Sequence, residues 1–284
     1  MTEAALQLSA ILVEAAERLR RAGIQDARRQ ALHIWGELNG LAVGRALLTT
    51  DATAEQSSRF LAAVRRRAAG EPLSYVTGRA GFRHLTLHSD RRALIPRPET
   101  EGLVELLLDR VSSGIVADVG TGSGCIALSL AHEGDFRSVL AIDRSAPALE
   151  LARVNHALAG APPNVRFVQS DLASAISPGS LDALISNPPY LTLSEYASLD
   201  PSVRNWEPAE ALRAGVDGFE SITPLLRQGW AVVRPGGWLA LEVDSTRAAP
   251  VAHLAERNGW RDISVHLDLF GRERYLLARR SNTR

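Results

Sequence analysis

Four consecutive residues, Asn187, Pro188, Pro189 and Tyr190, follow an apolar run. Two successive prolines cannot continue a helix and lack backbone donors, so they predict a rigid, extended loop. The Asn187 side-chain oxygen and the Pro188 carbonyl could accept the two hydrogens of a planar amide or amino nitrogen, and Tyr190 could pack on its flat face. Both acceptors would stabilise positive charge developing on that nitrogen. All four are candidate substrate-binding residues, and Asn187, Pro188 and Tyr190 are the candidate catalytic ones.

A glycine-rich turn, Gly120-Thr121-Gly122-Ser123-Gly124, follows another apolar run, and helical spacing begins directly after it. Glycines let the chain turn tightly and let a ligand approach the backbone. A turn of this kind alone is also compatible with a plain strand-to-helix connection or with a dinucleotide site. Its five residues are candidate cofactor-binding residues.

Acidic residues end the next two apolar runs. Asp143 comes roughly 20 positions after the turn, where an acid can accept hydrogen bonds from a ribose diol. An acid at a strand end can also cap the next helix, but Ser145 could serve as that cap and leave Asp143 free for a ligand. Asp171 could accept from an adenine amine, with Leu172 covering the ring. This order resembles class I S-adenosylmethionine methyltransferases, in which Asn187 would also border the cofactor. A nicotinamide dehydrogenase is the competing interpretation, but it would not explain the Asn-Pro-Pro-Tyr loop.

Alternating elements would position these residues. Helical spacing over 4–22, 26–38 and 54–69 predicts a small bundle, 76–95 reads as strands, and a helix follows from 98 to 111. Strands and helices then alternate, which is the pattern of a doubly wound, seven-stranded α/β sheet. The predicted strands are 115–119, 139–142, 165–168, 181–185, 238–243, 263–267 and 275–278; the predicted helices are 125–133, 146–159, 219–233 and 248–258.

The domain prediction has three parts: a helical bundle for substrate docking over 1–75, a hairpin linker over 76–97 and a methyltransferase domain over 98–284. Ligands of such α/β sheets bind at the carboxyl ends of the strands. The glycine turn, the two acids and the proline loop all follow predicted strands, so we expect them at one edge of the sheet.

Composition narrows the class of protein. Basic and acidic residues number 32 each, so the net charge is zero, and no direct nucleic-acid partner is expected because such domains are usually basic. Cys125 is the single cysteine, which excludes an internal disulfide and favours a reducing compartment. No signal peptide or long apolar stretch is apparent, so we expect a cytoplasmic protein without membrane contact. His84 and His88 lack further ligands nearby, so no metal is expected.

Several stretches together resemble one family, the protein-(glutamine-N5) methyltransferases that modify class-1 peptide chain release factors. The resemblance covers nearly the whole chain. Besides the glycine turn, Asp143 and the Asn-Pro-Pro-Tyr loop, it rests on Gly70–Gly78, Leu94–Glu101, Glu207–Gly218 and Asp268–Arg274.

The resemblance implies S-adenosylmethionine as cofactor and, as substrate, the glutamine of a Gly-Gly-Gln tip, with the helical domain docking the release factor. It also implies that residues 96–100 close over the methionine end of the cofactor. The chain departs from the family pattern at Arg83-His84 and at Asp244. Amino groups of nucleic-acid bases, which must be flipped out of the helix, and small-molecule amides remain alternative substrates. A non-catalytic binding protein would not need the intact loop.

Overall fold

The structure, a computed structural model, describes residues 6–41, 45 and 49–282. These fall into two compact units. One contains the chain up to Arg79 together with Asp200–Trp206, and the other contains Ala80–Leu199 and Glu207 onwards. Residues 76–97, predicted as a linker, are therefore divided between the units. No helix among the described residues is long and apolar enough to cross a membrane.

The helical unit buries one apolar stripe from each of three amphipathic helices. Trp35 and Phe60 meet edge to face at the centre of its core, with ring centroids 5.4 Å apart. The third helix begins at a capping box in which the Thr53 hydroxyl accepts from Gln56 N. The elements of this unit are β1 Leu6–Gln7, α1 Leu8–Arg21, α2 Ala27–Leu38, β2 Asp51–Ala52, α3 Ala54–Ala68, α4 Leu73–Thr77 and α9 Pro201–Arg204.

The second unit is built on a seven-stranded sheet. Its strands are β5 Ser113–Val119, β6 Asp135–Asp143, β7 Val165–Gln169, β8 Leu181–Ser186, β9 Val233–Glu242, β10 Trp260–Leu267 and β11 Glu273–Arg280. Its helices are α5 Pro98–Leu108, α6 Cys125–Glu133, α7 Ala146–Leu158, α8 Leu193–Ala197, α10 Ile222–Val232 and α11 Ala248–Arg257. A small sheet of β3 Arg79–Phe82 and β4 Leu85–His88 precedes them.

The strand order β10-β11-β9-β8-β5-β6-β7 places β5 and β8 side by side in the middle of the sheet. The strands from β5 to β9 are parallel, whereas β11 runs antiparallel to both β9 and β10. The chain reverses direction across the sheet between β5 and β8, and a crevice opens at such a switch point. Two apolar clusters pack on the sheet, one centred on Leu184 and Leu239 and the other on Val116 and Ile185.

The predicted class I fold is confirmed, and each predicted strand from 115 to 278 overlaps an observed one. The prediction of extended chain from residue 76 was wrong for Val76 and Thr77, which lie in α4. Pro72 precedes this short helix, and Gly78 ends it with a left-handed φ of 73°. The start of the first predicted helix, at residues 4–5, lies outside the described residues.

Gly114 supports a stability prediction, because a Cβ there would lie 2.2 Å from Asp182 Oδ2 at a φ of +93°. That oxygen accepts from Ile115 N at 2.7 Å, and Asp182 also pairs with Arg234. We expect Gly114→Ala to lower the free energy of unfolding by about 2–4 kcal/mol, measured by urea denaturation.

The matched control is Gly179→Ala. Gly179 also has positive φ, but no heavy atom lies within 4 Å of its ideal Cβ. The free energy of unfolding of this variant should fall by only about 1 kcal/mol, which is the backbone cost of a side chain at positive φ. Equal losses in the two variants would show that the Asp182 contact is not the cause.

Candidate active site

A cavity of about 620 Å³ opens in the sheet unit beside the carboxyl ends of β5, β6, β7 and β8. Residues from all four strand ends line it, as expected for a parallel sheet. Of the individual candidate residues predicted from sequence, those that line the cavity are Gly120, Thr121, Gly122, Ser123, Asp143, Asp171, Leu172, Asn187 and Pro189. From the segment 96–100, Pro96, Arg97 and Thr100 line it as well.

The glycine turn leaves space for a ligand directly against the backbone. Gly120 has a φ of +78°, and no heavy atom lies within 4 Å of an ideal Cβ there. The turn is fixed because Gly120 N and Thr121 N both donate to Ile142 O, at 2.8 and 2.9 Å. Gly124 does not line the cavity; its ideal Cβ would lie 3.2 Å from Ala152 Cβ, so it serves close packing of α6 on α7.

A buried carboxylate supports the turn from β5. Asp118 Oδ2 accepts from Thr121 Oγ1 at 2.6 Å and from Ala127 N at 3.1 Å. Its Oδ1 is buried and has no hydrogen-bond partner among the described residues. Burial raises the pKa of Asp118 to about 7. Asp118 is fully buried and does not line the cavity, so it acts on the site by holding the glycine turn in place.

Asp143 stands at the end of β6 with its carboxylate held in place. One oxygen accepts from Gly122 N and the other from Ser145 N, each at 2.9 Å. Ser145 caps α7 through Ala148 N, as predicted. Each carboxylate oxygen can accept a further bond, so the geometry leaves acceptors for a ribose diol within the cavity.

The turn after β7 adds a polar and an apolar group. Asp171 is exposed at the cavity, and Leu172 is half-buried with a left-handed φ of 50°. Such a conformation costs a leucine about 1–3 kcal/mol and persists where neighbours enforce it. One neighbour is Gln228, whose side-chain oxygen accepts from Ala173 N at 2.9 Å. A flat ring could lie beside the Leu172 side chain and reach Asp171 with an amine.

The proline loop follows β8, and its side chains do not all meet the cavity. Asn187 and Pro189 line it, whereas Pro188 is buried and Tyr190 packs against the apolar core. Burial raises the pKa of Tyr190, so its phenol stays neutral at physiological pH. Asn187 Nδ2 donates to Thr100 Oγ1 at 3.1 Å. Within the described chain no group donates to Asn187 Oδ1, which leaves a carboxamide oxygen for a ligand.

Three residues around the site have no individual role that a sequence pattern predicts: Thr100, Glu207 and Glu242. The Thr100 hydroxyl links Asn187 to Glu242, donating to Glu242 Oε2 at 2.7 Å. Glu207 accepts from Ile95 N at 3.0 Å and from Arg97 at 2.6 Å, which fixes the segment before α5. The hydrogen-bond partners of all three are more than eighty positions away in the chain, so spacing in the sequence could not pair them.

The cavity fits S-adenosylmethionine by its own geometry. Open space lies against the Gly120 backbone, and the Asp143 carboxylate oxygens are acceptors held in a fixed position. After β7, the acidic Asp171 lies next to the apolar Leu172 at the cavity. These match the needs of an extended nucleoside with a ribose diol and a flat base.

Comparison with known proteins agrees with this geometry. Residues 98–198 match the Methyltransferase small domain and residues 10–78 match the PrmC N-terminal domain. A methyltransferase of Pyrococcus furiosus shares the fold, with a TM-score of 0.53 at 18% identity over 80% of this chain and 99% of its own. So does a Thermus thermophilus 16S rRNA methyltransferase solved with AdoMet and guanosine, with a TM-score of 0.50 at 18% identity, covering 71% of this chain and 49% of its own.

Full-length relatives are more similar. The release factor glutamine methyltransferase of Deinococcus radiodurans is 41% identical, covering 97% of this chain and 99% of its own length. That of Rhodospirillum rubrum is 37% identical, covering 98% of this chain and 86% of its own. With this identity over both units, the chain belongs to the release factor glutamine methyltransferases, a family of S-adenosylmethionine-dependent enzymes with a class I fold.

Proposed function

We propose that this enzyme methylates the side-chain amide nitrogen of the glutamine in the Gly-Gly-Gln motif of class-1 peptide chain release factors. The observation that carries the proposal is the Asn187 carboxamide at the cavity, with its nitrogen engaged by Thr100 and its oxygen without a donor among the described residues. Family membership supports the choice of a protein glutamine over a nucleic-acid base or a small amide.

An amide nitrogen is a weak nucleophile because its lone pair is delocalised into the carbonyl. Asn187 Oδ1 would accept one N–H of the substrate amide and the Pro188 carbonyl the other, which turns the lone pair towards the cavity. Both acceptors would stabilise the positive charge that grows on nitrogen during transfer. The position of Asn187 supports this more directly than that of Pro188, whose side chain does not line the cavity. Tyr190, held against the core, would keep the loop in place rather than contact the amide directly.

S-adenosylmethionine, when bound, supplies an electrophilic methyl group on a sulfonium. Methyl transfer breaks a sulfur–carbon bond, forms a nitrogen–carbon bond and releases one amide proton to solvent. Gly120 to Ser123 would hold the methionine part, with Gly124 setting the helix behind them. Asp143 would hold the ribose, and Asp171 and Leu172 the adenine. In-line positioning of this kind can lower a barrier by about 7–11 kcal/mol in favourable cases.

The helical unit, which matches the PrmC N-terminal domain, would dock the release factor. Because such a partner works in translation, we place the reaction in the cytoplasm. No nucleic acid is needed as a direct partner.

Radiolabelled S-adenosylmethionine tests the proposal. The enzyme is incubated separately with a release factor, with the same factor carrying alanine for the Gly-Gly-Gln glutamine, and with duplex DNA. Label should enter the unaltered factor alone. Equal label in the alanine factor would contradict the glutamine assignment, and label in DNA alone would contradict the substrate class.

A further inference from the structure

Asn187, Thr100 and Glu242 form a continuous line of hydrogen bonds that runs from the cavity wall, which Asn187 and Thr100 line, into the protein interior. Asn187 Nδ2 donates to Thr100 Oγ1 at 3.1 Å, and Thr100 Oγ1 donates to Glu242 Oε2 at 2.7 Å. The three residues come from the loop after β8, the first turn of α5 and the end of β9. Thr100 and Glu242 are each only 2% exposed, so water does not readily replace either bond.

The line has a direction. A threonine hydroxyl carries one proton, and an ionised carboxylate can only accept. The Thr100 proton is therefore committed to Glu242, and the Thr100 oxygen is left as an acceptor. The two ends of the Asn187 carboxamide have nearly the same shape, so packing alone does not distinguish them. The hydrogen-bond direction does, because only the nitrogen end can donate to Thr100.

We propose that Thr100 and Glu242 are positioning residues that select which end of the Asn187 carboxamide meets the substrate. This rests on the proposed function, in which a substrate N–H needs an acceptor. With the nitrogen held by Thr100, Oδ1 is presented to the substrate amide. A reversed carboxamide would present two N–H donors to a substrate nitrogen that also carries hydrogens, and neither could support the developing positive charge.

Protonation of Glu242 can reverse the donor and acceptor roles along this line. A neutral Glu242 carboxyl group can donate to the Thr100 oxygen, and the Thr100 hydroxyl can then donate to Asn187 Oδ1. The net pKa of Glu242 is raised to about 7: burial raises it most and Glu99 adds to this, while the Thr100 hydrogen bond, Arg274 and Arg97 lower it. Arg274 Nη1 lies 3.9 Å from Glu242 Oε1. The ionisable groups that act on or are affected by Glu242 are Glu99, Arg97, Arg274, Tyr190, Tyr275 and Cys125. The active form has Glu242 ionised, so kcat should rise as the pH rises through about 7.

The test compares Thr100→Val, which keeps the shape and removes the hydroxyl, with Thr100→Ser, which restores it. We expect kcat for release-factor methylation to fall about 10- to 100-fold in Thr100→Val. The KM for the release factor and the Kd for S-adenosylmethionine should change less than about threefold, and Thr100→Ser should recover most of kcat. Glu242→Gln cannot ionise and should lose the pH dependence near 7 that the unaltered enzyme shows.

Tyr275→Phe is the matched control for a purely structural effect. Tyr275 is buried, and its hydroxyl donates to the Glu99 carbonyl in the same helix that carries Thr100. This variant removes a buried hydrogen bond from α5 but leaves the three side chains and the two hydrogen bonds of the line in place, so kcat should stay unchanged. Unchanged kcat in Thr100→Val, or an equal fall of kcat in Tyr275→Phe, would overturn the proposal.

A second readout needs no substrate. The ¹⁵N signal of the Asn187 side-chain amide, identified by its absence in Asn187→Ala, should show one proton protected from exchange and should shift as the pH crosses about 7. Thr100→Val should abolish both features and Tyr275→Phe should keep them. If the unaltered enzyme does not label a release factor, the proposed function fails, while this spectrum still decides whether the line orients Asn187. An Asn187 side-chain signal that is identical in Thr100→Val and in the unaltered enzyme would contradict the proposal that this line of hydrogen bonds orients Asn187.

Discussion

Asn187→Ala should lower kcat for release-factor methylation by about 100- to 1000-fold while the Kd for S-adenosylmethionine changes less than about threefold. The expected size follows from the loss of one preorganised group aimed at charge that develops in the transition state. Asn187 lines the cavity, and its side-chain nitrogen donates to Thr100 rather than to the glycine turn. Single-turnover methylation and calorimetric titration of the cofactor measure the two quantities separately.

Asn164→Ala provides the control. Asn164 directly precedes β7, at the opposite end of the strands from the cavity, and donates to Phe136 O at 2.9 Å. Its loss should lower stability without lowering kcat. If Asn187→Ala turns over at the normal rate, the proline loop is not where the substrate nitrogen is oriented. If it instead loses cofactor affinity in proportion to kcat, Asn187 acts mainly by binding the cofactor.

The sequence predicted the sheet well because its signals are local. Apolar runs, glycine turns and capping residues each act within a few positions, and a parallel sheet brings successive strand ends to one edge. The predicted turn at Gly120, the acid at Asp143 and the loop at Asn187 therefore meet at one cavity. The role of Ser145 as the cap of α7 could be predicted for the same reason.

What could not be predicted depends on contacts between distant positions. Thr100 and Glu242 are 142 positions apart, and nothing in the periodicity of either segment indicates that they pair. The direction in which the Tyr190 side chain points is likewise set by the core around it, and the packing role of Gly124 depends on α7 lying 3.2 Å from its ideal Cβ. The return of Asp200–Trp206 to the helical unit has no local signal in the sequence.

Gly120→Ala should raise the Kd for S-adenosylmethionine by about 30-fold or more. The new methyl group would project into the cavity, where no protein atom lies within 4 Å of it, so it would occupy space that the cofactor needs against the backbone. The loss corresponds to about 2 kcal/mol, since each tenfold change in affinity is worth about 1.4 kcal/mol. Calorimetric titration measures it directly, and kcat at saturating cofactor should fall much less.

Alanine at the positive φ of Gly120 also lowers the free energy of unfolding by about 1 kcal/mol, independently of the ligand. The control variant must therefore carry the same backbone cost. Gly160→Ala does so, because Gly160 has a φ of +81° against +78° for Gly120 and no heavy atom within 4 Å of its ideal Cβ. It does not line the cavity. Both variants should therefore lose similar free energy of unfolding without ligand, and only Gly120→Ala should lose affinity. Equal affinities in the two variants would mean that the cofactor does not lie against the Gly120 backbone, because steric exclusion is the only difference between them.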